Sequence, residues 1–276
     1  MSKILVSANS LEHLYELLNK DINGVILYID KLSVNSSFYV DVDMLNSIDF
    51  KDKELFVSIN KLMHNNDLEY LRIVMNKIKN MNLRILFYDM AVFNIAKEYD
   101  IVDKLVIYQD HLNASVLSNM FYSRLGIKSS YVTSDIMGDE LIDIKNNTDM
   151  EILFTGYGYL PMFYSRRYLI TNYLKYIEQD NDGEDYYIIN DMNDKYKICE
   201  EKYGTTIYSG KPVNLINQLD KLKNIDYIVM HSNNISNFEF NSMVDRFIVG
   251  DKLDDVYEGF FDKKTIYRVK SGDKNE

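Results

Sequence analysis

Eight short runs rich in Ile, Val, Leu, Tyr and Phe punctuate the chain: Lys3–Ser7, Gly24–Ile29, Glu54–Asn60, Leu83–Asp89, Lys104–Tyr108, Lys128–Thr133, Glu151–Thr155 and Asp226–Met230. Runs of this composition and length read as strands. Between them the period changes from two to 3.6. The clearest helix is Asp67–Met81, with Leu68, Leu71, Val74, Met75 and Ile78 on one stripe and Asn66 or Asp67 available as a cap. Leu11–Leu18, Ala91–Glu98, Ala114–Leu125, Gly138–Lys145 and Val213–Leu222 are further helical stretches. Strand and helix in alternation imply βαβ crossovers and a parallel sheet. Eight such strands predict a closed (β/α)8, TIM-barrel-like α/β fold, with residues 1–276 as a single domain.

One stretch breaks the rhythm. About seventy residues, 156–225, separate the seventh and eighth strands. They hold strand-like pieces at Tyr186–Asn190, Tyr196–Cys199 and Thr205–Tyr208, and an acidic loop at Glu178–Asp185. The pattern predicts an insertion carrying a small antiparallel ribbon on the barrel rim. Thr265–Val269 reads as a short terminal strand.

Composition narrows the possibilities. With 31 Lys+Arg against 42 Asp+Glu the formal net charge is −11, which argues against a stand-alone nucleic-acid binder. One cysteine permits neither an internal disulfide nor a cluster held by four thiolates. No apolar run is long enough to span a membrane and the first residues read as a strand rather than a leader, so a cytoplasmic, membrane-free protein is expected.

Active sites of such barrels lie where strands end and βα loops begin. That rule selects Asn60 and His64 after the third strand, Asp89 after the fourth, and Gln109, Asp110 and His111 after the fifth. It selects Ser134 and Asp135 after the sixth, Tyr157 after the seventh and His231 after the eighth. Each has a structural alternative: His64 bonding a loop carbonyl, Asp89 capping a helix, His231 packing at a strand end. Arg166 and Arg167 form a pair able to clamp a carboxylate or phosphate, or to pair with acidic neighbours. Cys199 sits in a strand-like context and reads as a small buried hydrophobe. Gly-x-Ser-x-Gly, His-Glu-x-x-His and Walker motifs are absent, so the catalytic residues stay unassigned.

Several of these segments, in order, resemble the peptidase U-32 family, also called the collagenase-like peptidases. They are Asn60-Lys-Leu-Met-His-Asn-Asn-Asp-Leu, Tyr88-Asp-Met-Ala-Val, Asp139-Glu-Leu-Ile-Asp-Ile-Lys and Gly158-Tyr-Leu-Pro-Met-Phe-Tyr-Ser-Arg-Arg. Glu201-Lys-Tyr-Gly-Thr-Thr-Ile-Tyr-Ser-Gly-Lys-Pro and Gly259-Phe-Phe-Asp-Lys-Lys-Thr follow. The resemblance spans most of the chain and implies a barrel-like fold. It implies a family of mixed activity: peptidases, and proteins that hydroxylate the wobble uridine of tRNA (with prephenate), a ribosomal RNA base or ubiquinone precursors. The hydroxylating members hold a four-iron cluster on four cysteines.

This chain departs from that pattern. Pro161, Tyr168 and Val213 stand at positions implied for cluster cysteines. Tyr157-Gly158 replaces a His-Gly, Ser134-Asp135 an Arg-Glu, and His231-Ser232 a Glu-Gly. The expectation is a cluster-less U-32 paralogue with no iron–sulfur cofactor of its own. It would be a partner subunit of a cysteine-containing paralogue in tRNA wobble-uridine hydroxylation, with tRNA reached through that partner. The alternatives are a U-32-type peptidase or hydrolase, and a protein binding an anionic small molecule through Arg166 and Arg167.

Overall fold

The computed structural model describes residues 2–263 apart from Asp110, Asp182 and Glu184. Asp110, a predicted site residue, and the predicted strand Thr265–Val269 therefore lie outside the described residues.

Eight parallel strands close a barrel: β1 (Lys3–Ser7), β2 (Gly24–Ile29), β3 (Glu54–Ile59), β4 (Arg84–Phe87), β5 (Leu105–Tyr108), β6 (Ser129–Tyr131), β7 (Glu151–Gly158) and β8 (Tyr227–Met230). Each pairs with its sequence neighbour, and β1 pairs with both β2 and β8, which shuts the sheet. Alternate residues point inward. Leu5, Ile26, Tyr28, Phe56, Leu86, Val106, Tyr131, Leu153, Tyr227 and Val229 fill the interior. Their strand neighbours, among them Val6, Leu27, Val57, Ile85 and Ile107, face the helices in the larger core. Burial on both faces is the reason these strands read as unbroken apolar runs.

At the N-terminal end the barrel is plugged. The Arg84 guanidinium pairs with Glu151 and lies 5.5 Å from the ring centroids of both Phe56 and Tyr227. The Tyr227 hydroxyl donates to Glu54 at 2.6 Å. Access to the interior is thereby confined to the opposite, C-terminal end.

The helices are α1 (Leu11–Leu17), α2 (Leu68–Ile78), α3 (Met90–Glu98), α4 (Val116–Arg124), α5 (Gly138–Asn146), α6 (Leu169–Tyr176), α7 (Leu219–Leu222) and α8 (Asn237–Val249). Helix α2 buries Leu71, Val74, Met75 and Ile78, the stripe expected from its period. The β2–β3 crossover has no α-helix: a two-residue strand, Tyr39–Val40, and a 3-10 turn, Val42–Ser47, replace it. Helix α8 was not legible as a helix in the sequence. Ser236 caps it, accepting from Glu239 N, and Phe240, Val244 and Phe247 are its buried face.

The insertion folds as a four-stranded antiparallel sheet in the order Tyr186–Ile189, Lys195–Glu201, Gly204–Tyr208, Pro161–Ser165. The Pro161–Ser165 strand and α6 join the three expected pieces. The predicted helix Val213–Leu222 is corrected in its first half. Val213 and Asn214 instead extend the barrel sheet, pairing antiparallel with Gly158 and Tyr157, and only Leu219–Leu222 is α-helical. The prolonged β7 offers open edge groups at that point, and pairing them outweighs local helical preference. The ribbon is clamped to the barrel by Asp30, which accepts from the Tyr203 hydroxyl at 2.5 Å and pairs with Lys202 at 2.8 Å.

Candidate functional site

A cavity of about 850 Å³ occupies the open end of the barrel. Barrel residues Tyr28, Tyr108, Tyr131, Thr155 and His231 form its floor. The ribbon roofs it through Pro161, Met162, Lys195, Tyr196 and Lys211, and Tyr257 and Phe260 close one side.

The floor is a connected polar unit. Tyr131, the last residue of β6, points inward by strand alternation. Its hydroxyl lies 2.8 Å from Thr155 Oγ1 and 2.6 Å from His231 Nε2. Tyr108 stacks on Tyr131 with centroids 4.6 Å apart, and the His231 ring is nearly parallel to Tyr131 at 5°. Burial pushes His231 down to about 4, so its imidazole is neutral near pH 7. A neutral ring satisfies the Tyr131 hydroxyl as acceptor or donor according to tautomer. The backbone holds it in place: His231 N donates to Tyr157 O at 2.8 Å. Gly158 has φ +131°, and a Cβ there would come within 2.6 Å of His231 O. Only glycine lets β7 turn from the barrel into the ribbon at this contact.

On the wall, His111 Nδ1 lies 2.5 Å from Asp135 Oδ2, joining the loops after β5 and β6. Behind the roof, Glu201 is enclosed between ribbon and barrel. It accepts from the Tyr39 hydroxyl at 3.2 Å and the Tyr208 hydroxyl at 3.4 Å. Burial pushes its carboxyl up to about 7. Thr206 donates to Asn35 Oδ1 at 2.7 Å and Asn233 to Asn35 O at 2.6 Å, tying ribbon, barrel and β8 loop together.

The structure brings His231, His111, Ser134 and Asp135 to the cavity. It places the others elsewhere. Asn60 is buried in a two-way bond with the Val34 backbone. Asp89 caps α3, accepting from Ala91 N at 2.8 Å, and also takes Met63 N. Gln109 bridges Tyr88 O and the Tyr122 hydroxyl. His64 is exposed, with its backbone N bonded to Asp67. Tyr157 points out of the barrel into the helix layer, against Phe240 and Phe247. Arg166 and Arg167 are exposed on the turn after the Pro161–Ser165 strand, away from the cavity lining. Tyr131, Thr155 and Glu201 were missed. Strand alternation from Val132 would have turned Tyr131 inward; nothing local marks Glu201, whose enclosure is tertiary.

The residues do not fit a thiolate-held cluster. Cys199, the one cysteine, is on the ribbon with Sγ donating to Asn234 at 3.2 Å, and burial pushes its thiol up to about 11. Of the positions implied for ligands, Pro161 lines the roof, the Tyr168 hydroxyl donates to Lys202 O, and Val213 is buried beside β7. Among the described residues, no group of three or more His, Cys, Asp or Glu side chains could hold a metal ion, and no helix is long and apolar enough to cross a membrane.

A family model described as peptidase family U32 matches residues 41–236. A relative from Bacillus subtilis, tRNA hydroxylation protein P2, is 27% identical over 194 residues. The match covers 65% of this chain and 62% of the relative, less than two thirds of its length.

Proposed function

The chain belongs to peptidase family U32, and from that footing we propose that it is the cluster-less partner subunit of a cysteine-bearing U32 paralogue in tRNA wobble-uridine hydroxylation. One observation carries the reading. The barrel keeps a formed cavity of about 850 Å³ at its C-terminal end, and no cysteine lines it. The name of the Bacillus subtilis relative supports the tRNA assignment. Redox chemistry then belongs to the paralogue. This chain supplies a shaped pocket: Tyr131, Thr155 and neutral His231 to hold one polar group, Tyr108 as a stacking surface, and Lys195 and Lys211 on the roof.

The hydrolase reading has less support. Ser165 Oγ accepts from Arg167 N, and His64 lies away from the cavity. Arg166 and Arg167 do not line the cavity, so an anion seated there would meet Lys195 and Lys211 instead.

Co-purification tests the proposal. Tagged chain expressed at its native level is expected to bring down the cysteine-bearing paralogue of the same genome in stoichiometric amount. A chain that elutes alone from extracts containing that paralogue overturns it.

A further inference from the structure

Helix α4 carries an exposed apolar stripe on its outer face and buries a polar residue beneath. A helix on the outside of an α/β barrel ordinarily turns an apolar face inward and a polar face to water. Only one residue of α4 is fully buried, and it is Asn119. Beneath the helix lies a closed polar network. Asn119 donates to Asn113 Oδ1 at 3.0 Å, Asn113 donates to Ser130 Oγ at 2.7 Å, and Ser130 donates to Asn119 Oδ1 at 2.5 Å. Val116 and Tyr122 pack, partly buried, against the core beside this network, while other large apolar side chains point outward. Leu117 and Phe121, one turn apart, are 77% and 55% exposed, and Leu112 in the turn before the helix is 63% exposed. Spacing of i, i+4 puts Leu117 and Phe121 on one stripe. The outer stripe adds nothing to the chain's own core, which Val116 and Tyr122 already meet from the inner side. It suits a helix that is covered from outside.

Two features identify what covers it. The first is charge. In a chain of net −11, no Asp or Glu occurs from His111 to Ser134, while Arg124 and Lys128 flank the stripe. Neither cation forms an ion pair among the described residues. The complementary surface is therefore apolar with an acidic rim. The second is position. Leu112 directly follows His111, which lines the cavity wall, so a body seated on α4 stands at the edge of the thiol-free cavity.

We infer that the outer face of α4 is the seat of the cysteine-bearing U32 partner, which docks an apolar, acid-rimmed surface on Leu112, Leu117 and Phe121 beside the cavity mouth. This rests on the partner-subunit reading and assigns it a surface. Central apolar anchors inside a charged rim are the usual energetic core of such contacts.

The test compares capture of that paralogue by full-length wild type, by Leu117→Glu/Phe121→Glu, and by Phe238→Glu as an exposed apolar control on α8. The α4 double variant is expected to bind at least about tenfold more weakly, with wild-type Tm, while Phe238→Glu binds normally. If the double variant unfolds, Leu117→Ser/Phe121→Ser replaces it with the same expectation. Capture by the α4 variants equal to wild type overturns the seat and leaves the partner reading standing. Wild type that captures no paralogue overturns both. A wild-type mass near twice 32.5 kDa that the double variant halves assigns the face to a second copy and overturns the inference.

Discussion

His231 is buried and Glu201 half-buried, and loss of water contact drives them to opposite ends of the same pH range. His231 is held near 4, below its ordinary 6.5. Its neutral form contributes stability that is fully present above pH 6.5 and lost as pH falls toward 4. Glu201 is held near 7, above its ordinary 4.5. Its protonated form contributes stability that is fully present below pH 4.5 and lost as pH rises through 7. Glu201→Gln should therefore gain on wild type as pH rises, by on the order of 2 kcal/mol at pH 8 relative to pH 5, or a few degrees in Tm. His231→Gln should flatten the loss of stability between pH 6.5 and 4. Thermal melts across pH check both, and a pH-independent difference from wild type for either variant contradicts its assigned burial. Residues that line the cavity were legible where a strand-end rule suffices, as for His231, His111 and Asp135. The same rule also selected Asn60 and Asp89, which bond the backbone instead, because loops at strand ends need caps and ties as much as they need chemistry.

Elements were legible in proportion to how local their causes are. The barrel strands announce themselves because both faces are buried, and α2 because its stripe is regular. The Pro161–Ser165 strand begins with a residue that cannot donate to a ladder. That is tolerated at its edge position in the ribbon, but it hides the strand from a pattern reading. Val213–Asn214 becomes a strand only because β7 runs on to Gly158 beside it. Helix α4 kept its predicted place but buries Asn119 and exposes Leu117 and Phe121, which periodicity alone does not reveal. Asp30 is one of the ties that dock the ribbon, receiving both Tyr203 and Lys202 beside the Thr206–Asn35 and Tyr39–Glu201 bonds. Asp30→Ala should loosen the roof, costing about 1 kcal/mol and raising protease cleavage near the Glu201–Gly204 turn. Unchanged cleavage there would show that the clamp is unimportant to the roof.

Taken whole, the molecule is an acidic barrel, plugged at one end by Arg84, Glu151 and Tyr227 and open at the other beneath a ribbon. A net charge of −11 disfavours unaided binding to an RNA backbone, and the proposed function therefore rests on the pocket and the α4 face together. The (β/α)8 class followed from the count and spacing of strands. The cavity did not, because its floor combines β5, β6, β7 and β8 and its roof comes from an insertion that begins about fifty residues beyond Tyr108 in the sequence. The most direct test of the central claim is mass spectrometry of tRNA wobble uridines from a strain lacking this chain but keeping its cysteine-bearing U32 paralogue. The account predicts that hydroxylated uridine falls to background and returns with the wild-type chain. Normal hydroxylation in the deletion strain would contradict it.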